Sequence, residues 1–134
     1  MKTLDLSVGD KVHVRHLDRI VTVTAVHDGF IWTDVISPVF ESEIDPIPLS
    51  GEILEKNRFR KCEYGYLWKE RLYGYMGQSV SQTTPVEMRY DDGHCVVSNP
   101  HTGRVFQGSI SYVNEFQQAM RIAGLRDIAN SFAV

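Results

Sequence analysis

The stretch Ile44-Asp45-Pro46-Ile47-Pro48-Leu49-Ser50 decides how this chain is organised. Pro46 and Pro48 lack the amide N–H that a central strand needs, and each biases the residue before it towards extended backbone. Ser50 is a favourable helix N-cap, because its hydroxyl can accept a hydrogen bond from an unpaired N–H of the first helical turn. The stretch therefore predicts that a β-rich segment ends here and that a short helix follows, from Gly51 to about Asn57.

The residues before this stretch have the pattern of short antiparallel strands. Strands are expected over residues 11–15, 19–26, 30–33 and 39–44. The second of these is almost entirely β-branched, and its alternation places Val21, Val23 and Ala25 on one face. Because short strands with tight turns are typical of small closed or curled sheets, we predict an SH3-like β-barrel or a meander.

The residues after 50 predict an antiparallel sheet covered by a helix. Residues 86–90 and 94–98 alternate polar and apolar side chains on either side of the hairpin turn Asp91-Asp92-Gly93. Apolar residues then recur at helical spacing at Tyr112, Val113, Phe116, Ala119, Met120 and Ala123. We expect Ser109 or Ser111 to cap this last helix.

These patterns together predict an α+β protein. The expected order is a β-rich head over residues 1–49, a linking helix, and an antiparallel sheet packed by a C-terminal helix within residues 50–134. A chain of 134 residues fits one domain or two very small units. We therefore expect the second region to share or abut the core of the head.

Composition and charge exclude several classes of protein. Hydrophobic and charged fractions of 43% and 23% are those of a globular protein, and a net charge of -3 gives no global attraction to phosphate backbones. The chain contains neither a signal-peptide core nor an apolar run of membrane-spanning length. Cys62 and Cys95 lack CxxC spacing and are expected to be reduced thiols. We expect a cytoplasmic protein that does not contact a membrane.

An aromatic-rich segment after the first helix is the candidate binding site. Its candidate residues are Tyr64, Tyr66, Trp68, Arg71, Tyr73 and Tyr75. The first three are spaced by two, so on a strand they would line one face, with the other tyrosines opposite them across a turn. With the neighbouring lysines and arginines, this hairpin resembles a stacking platform for single-stranded nucleic acid. In the alternative interpretation the aromatic rings cover a core. The acidic residues Glu63 and Glu70 favour this interpretation, because they interrupt the basic patch.

The sequence predicts no catalytic residue, no metal site and no cofactor. The five histidines show no HxxxH or HExxH spacing, and the chain has no Walker, GxGxxG or GxSxG motif. His94 and Cys95 are an adjacent base and nucleophile, but neighbours on a strand point to opposite faces. Asp91 and Asp92 fit a hairpin turn better than a cation site.

Several short segments of the chain, taken in sequence order, resemble those of a known group of proteins. They are Gly9-Asp10 with Val12, the stretch 44–50, Glu52-Ile53-Leu54 with Lys56 and Phe59, and Ile110 with Tyr112-Val113, Phe116 and Gln117. In this order they resemble small uncharacterised proteins of phages and mobile elements of gut anaerobic bacteria, a group with no established activity. Arg58 stands where that group has glycine, and Asn114 stands where it has histidine, which puts any role of that histidine in doubt here. The resemblance implies an origin and not a mechanism.

We therefore expect a non-catalytic accessory protein of a phage or mobile element that acts by protein–protein interaction. The alternative is a nucleic-acid-binding module that uses the Tyr64–Tyr75 hairpin, and a weaker alternative is a small hydrolase or nuclease. An exposed aromatic patch without cations would favour the first function, and one rimmed by cations the second. A pocket that joins Cys95 to a histidine and a carboxylate would favour the third.

Overall fold

The computed structural model of the chain describes residues 6–35, 38–70 and 85–134. The first sheet consists of β1 (Lys11–Val14), β2 (Arg19–His27), β3 (Phe30–Thr33), β4 (Val39–Phe40) and β5 (Ile44–Asp45). The second consists of β6 (Arg60–Cys62), β7 (Gly65–Glu70), β8 (Val86–Asp91), β9 (His94–Asn99) and β10 (Arg104–Ser109). The helices are α1 (Gly51–Lys56), α2 (Val113–Ile122) and α3 (Arg126–Asn130). The predicted α+β class is confirmed.

Both sheets are antiparallel, with strand orders β4-β3-β2-β1-β5 and β10-β9-β8-β7-β6. A 3₁₀ turn, Glu41–Glu43, leads from β4 to β5, which returns to lie beside β1. Among the described residues the first sheet forms no closed barrel, because its edge strands β4 and β5 have two residues each and do not pair with one another. No helix in the described ranges combines the length and apolar composition needed to span a membrane.

Strand β2 holds the first sheet together because its two halves pair with different strands. Residues 19–22 of β2 pair with β1, and the residues from Val23 onwards pair with β3. The register shifts between Val23 and Ala25, which marks a β-bulge. Val21 and Val23 are buried, but Ala25 is exposed. The prediction that all three side chains lie on one face is therefore wrong for Ala25. A bulge adds one residue to the strand and so reverses the alternation beyond it.

The buried apolar side chains form two clusters, one in each region. The cluster in the head consists of Val12, Val14, Val21, Val23, Ile31, Val39 and Ile44. The larger cluster lies between the second sheet and the helices, and includes Leu54, Phe59, Trp68, Met88 and Phe116. Ile47 and Leu49, from the proline-containing stretch, belong to this larger cluster. The predicted packing of the C-terminal helix on the second sheet is confirmed.

Helices α1 and α2 begin in different ways. Ser50 caps α1 as predicted, because its Oγ accepts a hydrogen bond from the Ile53 N–H at 3.3 Å. Helix α2 begins after Tyr112, and the Glu115 carboxylate accepts from the N–H groups of Ser111 and Tyr112 at 2.8 and 3.0 Å. The predicted serine cap is therefore wrong, since a carboxylate reaching back from the first turn satisfies donors at this end.

The turn that follows helix α1 contains a residue whose backbone conformation favours glycine. Arg58 has a φ of 68° and donates its N–H to the Glu55 carbonyl at 3.1 Å, while Phe59 donates to the Leu54 carbonyl at 3.1 Å. These two bonds, with the buried Leu54 and Phe59, form a Schellman motif. This φ favours glycine, so the arginine at this position is held in strained backbone.

Arg58→Gly is expected to raise the free energy of unfolding by about 0.5–1 kcal/mol. Left-handed backbone costs a non-glycine residue about 1–2 kcal/mol, and the greater freedom of glycine in the unfolded chain offsets about 0.5–1 kcal/mol of that gain. Urea denaturation measures the change. Arg58→Ala is the control, because it removes the side chain and keeps the strain, so it should bring no gain. Equal effects of the two substitutions would contradict this explanation.

Gln117 on α2 holds the start of the head through buried hydrogen bonds. Its Oε1 accepts from the Lys11 N–H, and its Nε2 donates to the carbonyls of Gly9 and Ala129, all at 2.9 Å. The side chain has no exposed surface, so each of its polar groups needs these partners. One glutamine thereby connects β1, α2 and α3.

A buried carboxylate beside Gln117 makes a second link between the head and α2. Asp10 has no exposed surface, and its carboxylate accepts from the Ser7 N–H at 2.8 Å, from Gln118 Nε2 at 3.0 Å and from Arg121 Nη1. Gly9 has a φ of 95°, and a Cβ there would lie 2.6 Å from Asn130 Oδ1. The Gly9-Asp10 pair, predicted only to open the head, is thus where α2 and α3 meet it.

Candidate functional site

The structure separates the described members of the predicted aromatic site. Tyr64 lies in the turn between β6 and β7 and is 71% exposed. Tyr66 and Trp68 lie on β7 opposite Tyr90 and Met88, and face the larger core cluster. Trp68 is only 6% exposed. The other three predicted residues, Arg71, Tyr73 and Tyr75, lie outside the described residues.

The pairing of β7 with β8 explains why Tyr66 and Trp68 face the core. Met88 is fully buried and is the cross-strand partner of Trp68, so the two side chains lie on the face that the helices cover. Tyr66 packs against the same cluster. The geometry of Tyr66 and Trp68 fits the interpretation in which aromatic rings cover a core, whereas Tyr64 lies at the surface.

A second aromatic group, which sequence reasoning missed, lies on the outside of the head. We call Phe30, Trp32 and Phe40 the head patch. The ring centroids of Phe30 and Phe40 are 4.8 Å apart, and those of Phe30 and Trp32 are 6.4 Å apart. Phe30 is 39% and Phe40 55% exposed, and Trp32 is half-buried. The patch therefore presents three neighbouring rings at the β4 edge of the first sheet.

The alternation of β3 explains why these rings face outwards. Ile31 is buried in the core of the head, so Phe30 and Trp32 on either side of it point to the opposite face. Phe40 on β4 pairs directly with Phe30 and shares that face. The signal was present in the sequence as the alternation Phe30-Ile31-Trp32, but nothing in the sequence indicated which of its two faces would be covered.

Acidic residues surround the head patch. Asp28 precedes Phe30 in the β2–β3 turn, and the Glu41 N–H donates to the Gly29 carbonyl at 2.9 Å, which brings Glu41 to the same turn. Asp34 follows β3 at the other end, where its Oδ1 accepts from the Thr22 N–H at 3.0 Å. Carboxylates thus flank both ends of the patch.

The charge of the whole head agrees with this local pattern. Residues 6–49 contain seven Asp or Glu and three Lys or Arg. The three basic residues, Lys11, Arg15 and Arg19, lie on β1, just after it and at the start of β2, while the patch lies on β3 and β4. Arg15 is paired with Asp45 at 2.8 Å. The two strands that carry the patch therefore contain no Lys or Arg.

A wide cleft adjoins the head patch. It has a volume of about 800 Å³, and its lining includes Phe40 from the patch, Leu17, and the acidic Asp34 and Glu43. Glu43 Oε2 lies 2.7 Å from His16 Nδ1, which also lines the cleft. The aromatic surface thus continues into an acidic depression.

The residues considered for catalysis do not form a reactive site. Cys95 is fully buried, and burial raises the pKa of its thiol to about 12, whereas His94 is exposed on the opposite face. Asp92 and Gly93, with φ angles of 46° and 87°, form the predicted hairpin turn. Within the described ranges, no group of three or more His, Cys, Asp or Glu side chains could hold a metal ion.

Thiol reactivity is expected to distinguish the two cysteines. Cys62 is exposed and Cys95 is buried, and both are free thiols. The thiolate is the form that reacts with a disulfide reagent, and burial both shields Cys95 and disfavours its thiolate. At pH 8 the reagent should therefore modify Cys62 quickly in the folded chain and Cys95 only after unfolding. Absorbance of the released chromophore measures both phases. Addition of a reductant should leave the melting temperature unchanged, and a clear drop would contradict the free-thiol state.

Comparisons with known proteins returned no match among family models, curated proteins or solved structures.

Proposed function

We propose that this protein is a non-catalytic accessory protein of a phage or mobile element, and that it acts by binding another protein through the head patch. The observation that carries the proposal is a group of three adjoining aromatic rings at a sheet edge, two of them exposed, on two strands that contain no Lys or Arg. Exposed apolar patches mark interaction sites, and aromatic residues are enriched in protein interfaces. The segments Gly9-Asp10, 44–50 and 110–117 occur in the same order as in the phage and mobile-element proteins that the chain resembles, which supports the proposed origin.

The charges around the head patch indicate the chemistry of the partner. Asp28, Asp34 and Glu41 would repel an acidic surface and attract a basic one. The aromatic faces themselves favour cations, arginine above all. We therefore expect the contacting surface of the partner to carry lysine or arginine beside apolar side chains.

The experiment is capture of host proteins with the tagged chain, followed by titration of the purified partner. Phe40→Ser should abolish capture, because it removes the most exposed ring of the patch while leaving the core intact. Val105→Ser is the matched control, since Val105 is a similarly exposed apolar residue (61%, against 55% for Phe40) on β10 of the other sheet. Glu41→Lys should weaken the titrated affinity.

Two outcomes would contradict the proposal. One is a partner whose affinity neither Phe40→Ser nor Glu41→Lys changes. The other is a concentration-dependent dimer in sedimentation equilibrium that Phe40→Ser abolishes, since the patch would then serve self-association.

A nucleic-acid-binding module remains the second candidate, favoured by the exposed Tyr64 and by the cations Arg58, Arg60 and Lys69 that line one cleft. We expect labelled single-stranded and duplex oligonucleotides to show no saturable anisotropy change at micromolar protein in low salt, the most permissive condition for phosphate contacts. Saturable binding that salt abolishes, and that Tyr64→Ala or Arg71→Ala weakens, would reverse this choice. Stacking contributes about 1–3 kcal/mol per base, so the loss would be measurable.

We also infer an SH3-like strand order in the head and a cytoplasmic location. The return of β5 to the side of β1 supports the first, because it places the last strand of the head next to the first. The two free cysteines support the second, since reduced thiols are typical of cytoplasmic proteins.

A further inference from the structure

The second sheet has a long edge strand, β10, whose outer side is open. β10 pairs with β9 over six consecutive residue pairs and has no strand on its other side. From outside this pairing, the described residues provide its backbone with one hydrogen bond, in which the Arg104 N–H donates to Thr102 Oγ1 at 3.3 Å. The outer side of β10 therefore presents N–H and C=O groups that a further strand could pair with.

The other edge strands in the described ranges carry features that oppose such pairing. β4 and β5 have two residues each, and Pro46 follows β5. β6 has three residues, of which two are the cations Arg60 and Lys61. Short edges, charged side chains and proline all hinder the pairing of one sheet edge with another. In β10, by contrast, residues 105–109 contain no charged residue and no proline.

The side chains of β10 suit pairing with an identical strand. Phe106 packs against the larger core cluster, so Arg104 and Gly108, two residues to either side, lie on the same face of the sheet. A Cβ on Gly108 would lie 3.3 Å from Phe106 Cζ, so the ring lies beside this glycine. In an antiparallel pair centred on Phe106, Arg104 of each copy lies opposite Gly108 of the other, next to that ring.

This placement also brings complementary charges together. A guanidinium is attracted to an aromatic face, and each Arg104 would meet the Phe106 ring of the other copy. The two Arg104 residues lie at opposite ends of the paired strands, because the strands run in opposite directions. Like charges in β10 therefore do not face each other.

We propose that the protein forms a two-fold symmetric dimer in which β10 pairs with β10 of a second copy. The two five-stranded sheets then continue as one sheet, with the helices of both copies on the same face. The other possible occupant of this edge is an extended peptide of a different protein, but the arrangement of Arg104, Phe106 and Gly108 is complementary to itself. This edge is separate from the head patch and does not depend on the proposed function.

Sedimentation equilibrium and amide hydrogen exchange test the dimer. We expect a concentration-dependent dimer with a dissociation constant of about 10–100 μM, since a single pair of strands is a small interface. Amide exchange within residues 104–108 should slow as the protein concentration rises, because strand pairing protects backbone N–H groups. Phe40→Ser, in the head patch, should change neither result.

Two double variants of exposed residues test the register. Val105 and Gln107 are both exposed, and in the proposed pair each lies opposite the other residue of the second copy. Val105→Lys with Gln107→Lys places like charges opposite each other twice and should weaken the dimer at least about tenfold. Val105→Lys with Gln107→Glu is the matched control, because it places opposite charges there and should keep the dimer within about threefold.

Several results would overturn the dimer proposal. They are a chain that stays monomeric up to millimolar concentration, equal effects of the two double variants, and a dimer that Phe40→Ser abolishes. Protection of residues 104–108 by an added extended peptide, in a chain that does not self-associate, would assign the edge to a different partner.

Discussion

Truncation of Phe116 to alanine is expected to lower the free energy of unfolding by about 3–5 kcal/mol. Phe116 has no exposed surface and lies at the centre of the larger core cluster. Its ring centroid lies 5.7 Å from those of Phe59 and Phe132 and 6.5 Å from that of Tyr90. The substitution leaves a cavity among rings from three parts of the chain, which cannot collapse without moving the elements that carry them.

Urea denaturation measures this loss, and Ile122→Ala is its control. Ile122 lies on the same helix but is 56% exposed, so its truncation should change stability by less than about 0.5 kcal/mol. Val23→Ala, in the separate core of the head, should cost about 2 kcal/mol or more. Shifts near zero for Phe116→Ala or Val23→Ala would show that the assigned buried faces are wrong.

Arg121→Met is expected to cost a similar amount, about 3–5 kcal/mol, for a different reason. Asp10 is fully buried, and Arg121 is the cation that contacts its carboxylate. Removal of the guanidinium leaves a buried charge with hydrogen bonds from Ser7 and Gln118 but no counter-charge. Breaking a buried pair on one side is strongly destabilising for this reason.

Two further variants separate the pair from a general effect of losing an arginine. Arg126→Met, on the exposed side of α3, should change stability by less than about 0.5 kcal/mol. Asp10→Asn combined with Arg121→Met should be more stable than Arg121→Met alone, because no uncompensated charge remains. If the double variant were instead the less stable one, the loss would come from packing of the Arg121 side chain.

The parts of the fold that depend on local geometry could be predicted from the sequence. The alternation of Val21 and Val23 and the helical spacing of Phe116 and Met120 report backbone periods of two and 3.6 residues. The Ser50 cap depends only on the three residues that follow it. These features need no knowledge of the remainder of the chain.

Features that depend on distant partners could not be predicted. The exposure of Ala25 follows from a bulge set by pairing with β3, and the burial of Asp10 requires an arginine 111 residues away. The same applies to the candidate sites. Trp68 is covered because it faces the cluster between the second sheet and the helices, and Phe40 is exposed because no described element packs over β4.

The contacts of Gln117 also set an order of events during synthesis. The Gly9 carbonyl accepts a hydrogen bond from a side chain 108 residues later in the chain, and the Lys11 N–H donates one to the same side chain, 106 residues later. Because a protein is made from its N-terminal side, the strands of the head leave the ribosome long before α2 does. Until α2 emerges, the carbonyl of Gly9 and the N–H of Lys11 must be satisfied by water. The head is thus made before α2, yet its first strand acquires its full set of hydrogen bonds only when α2 has been made.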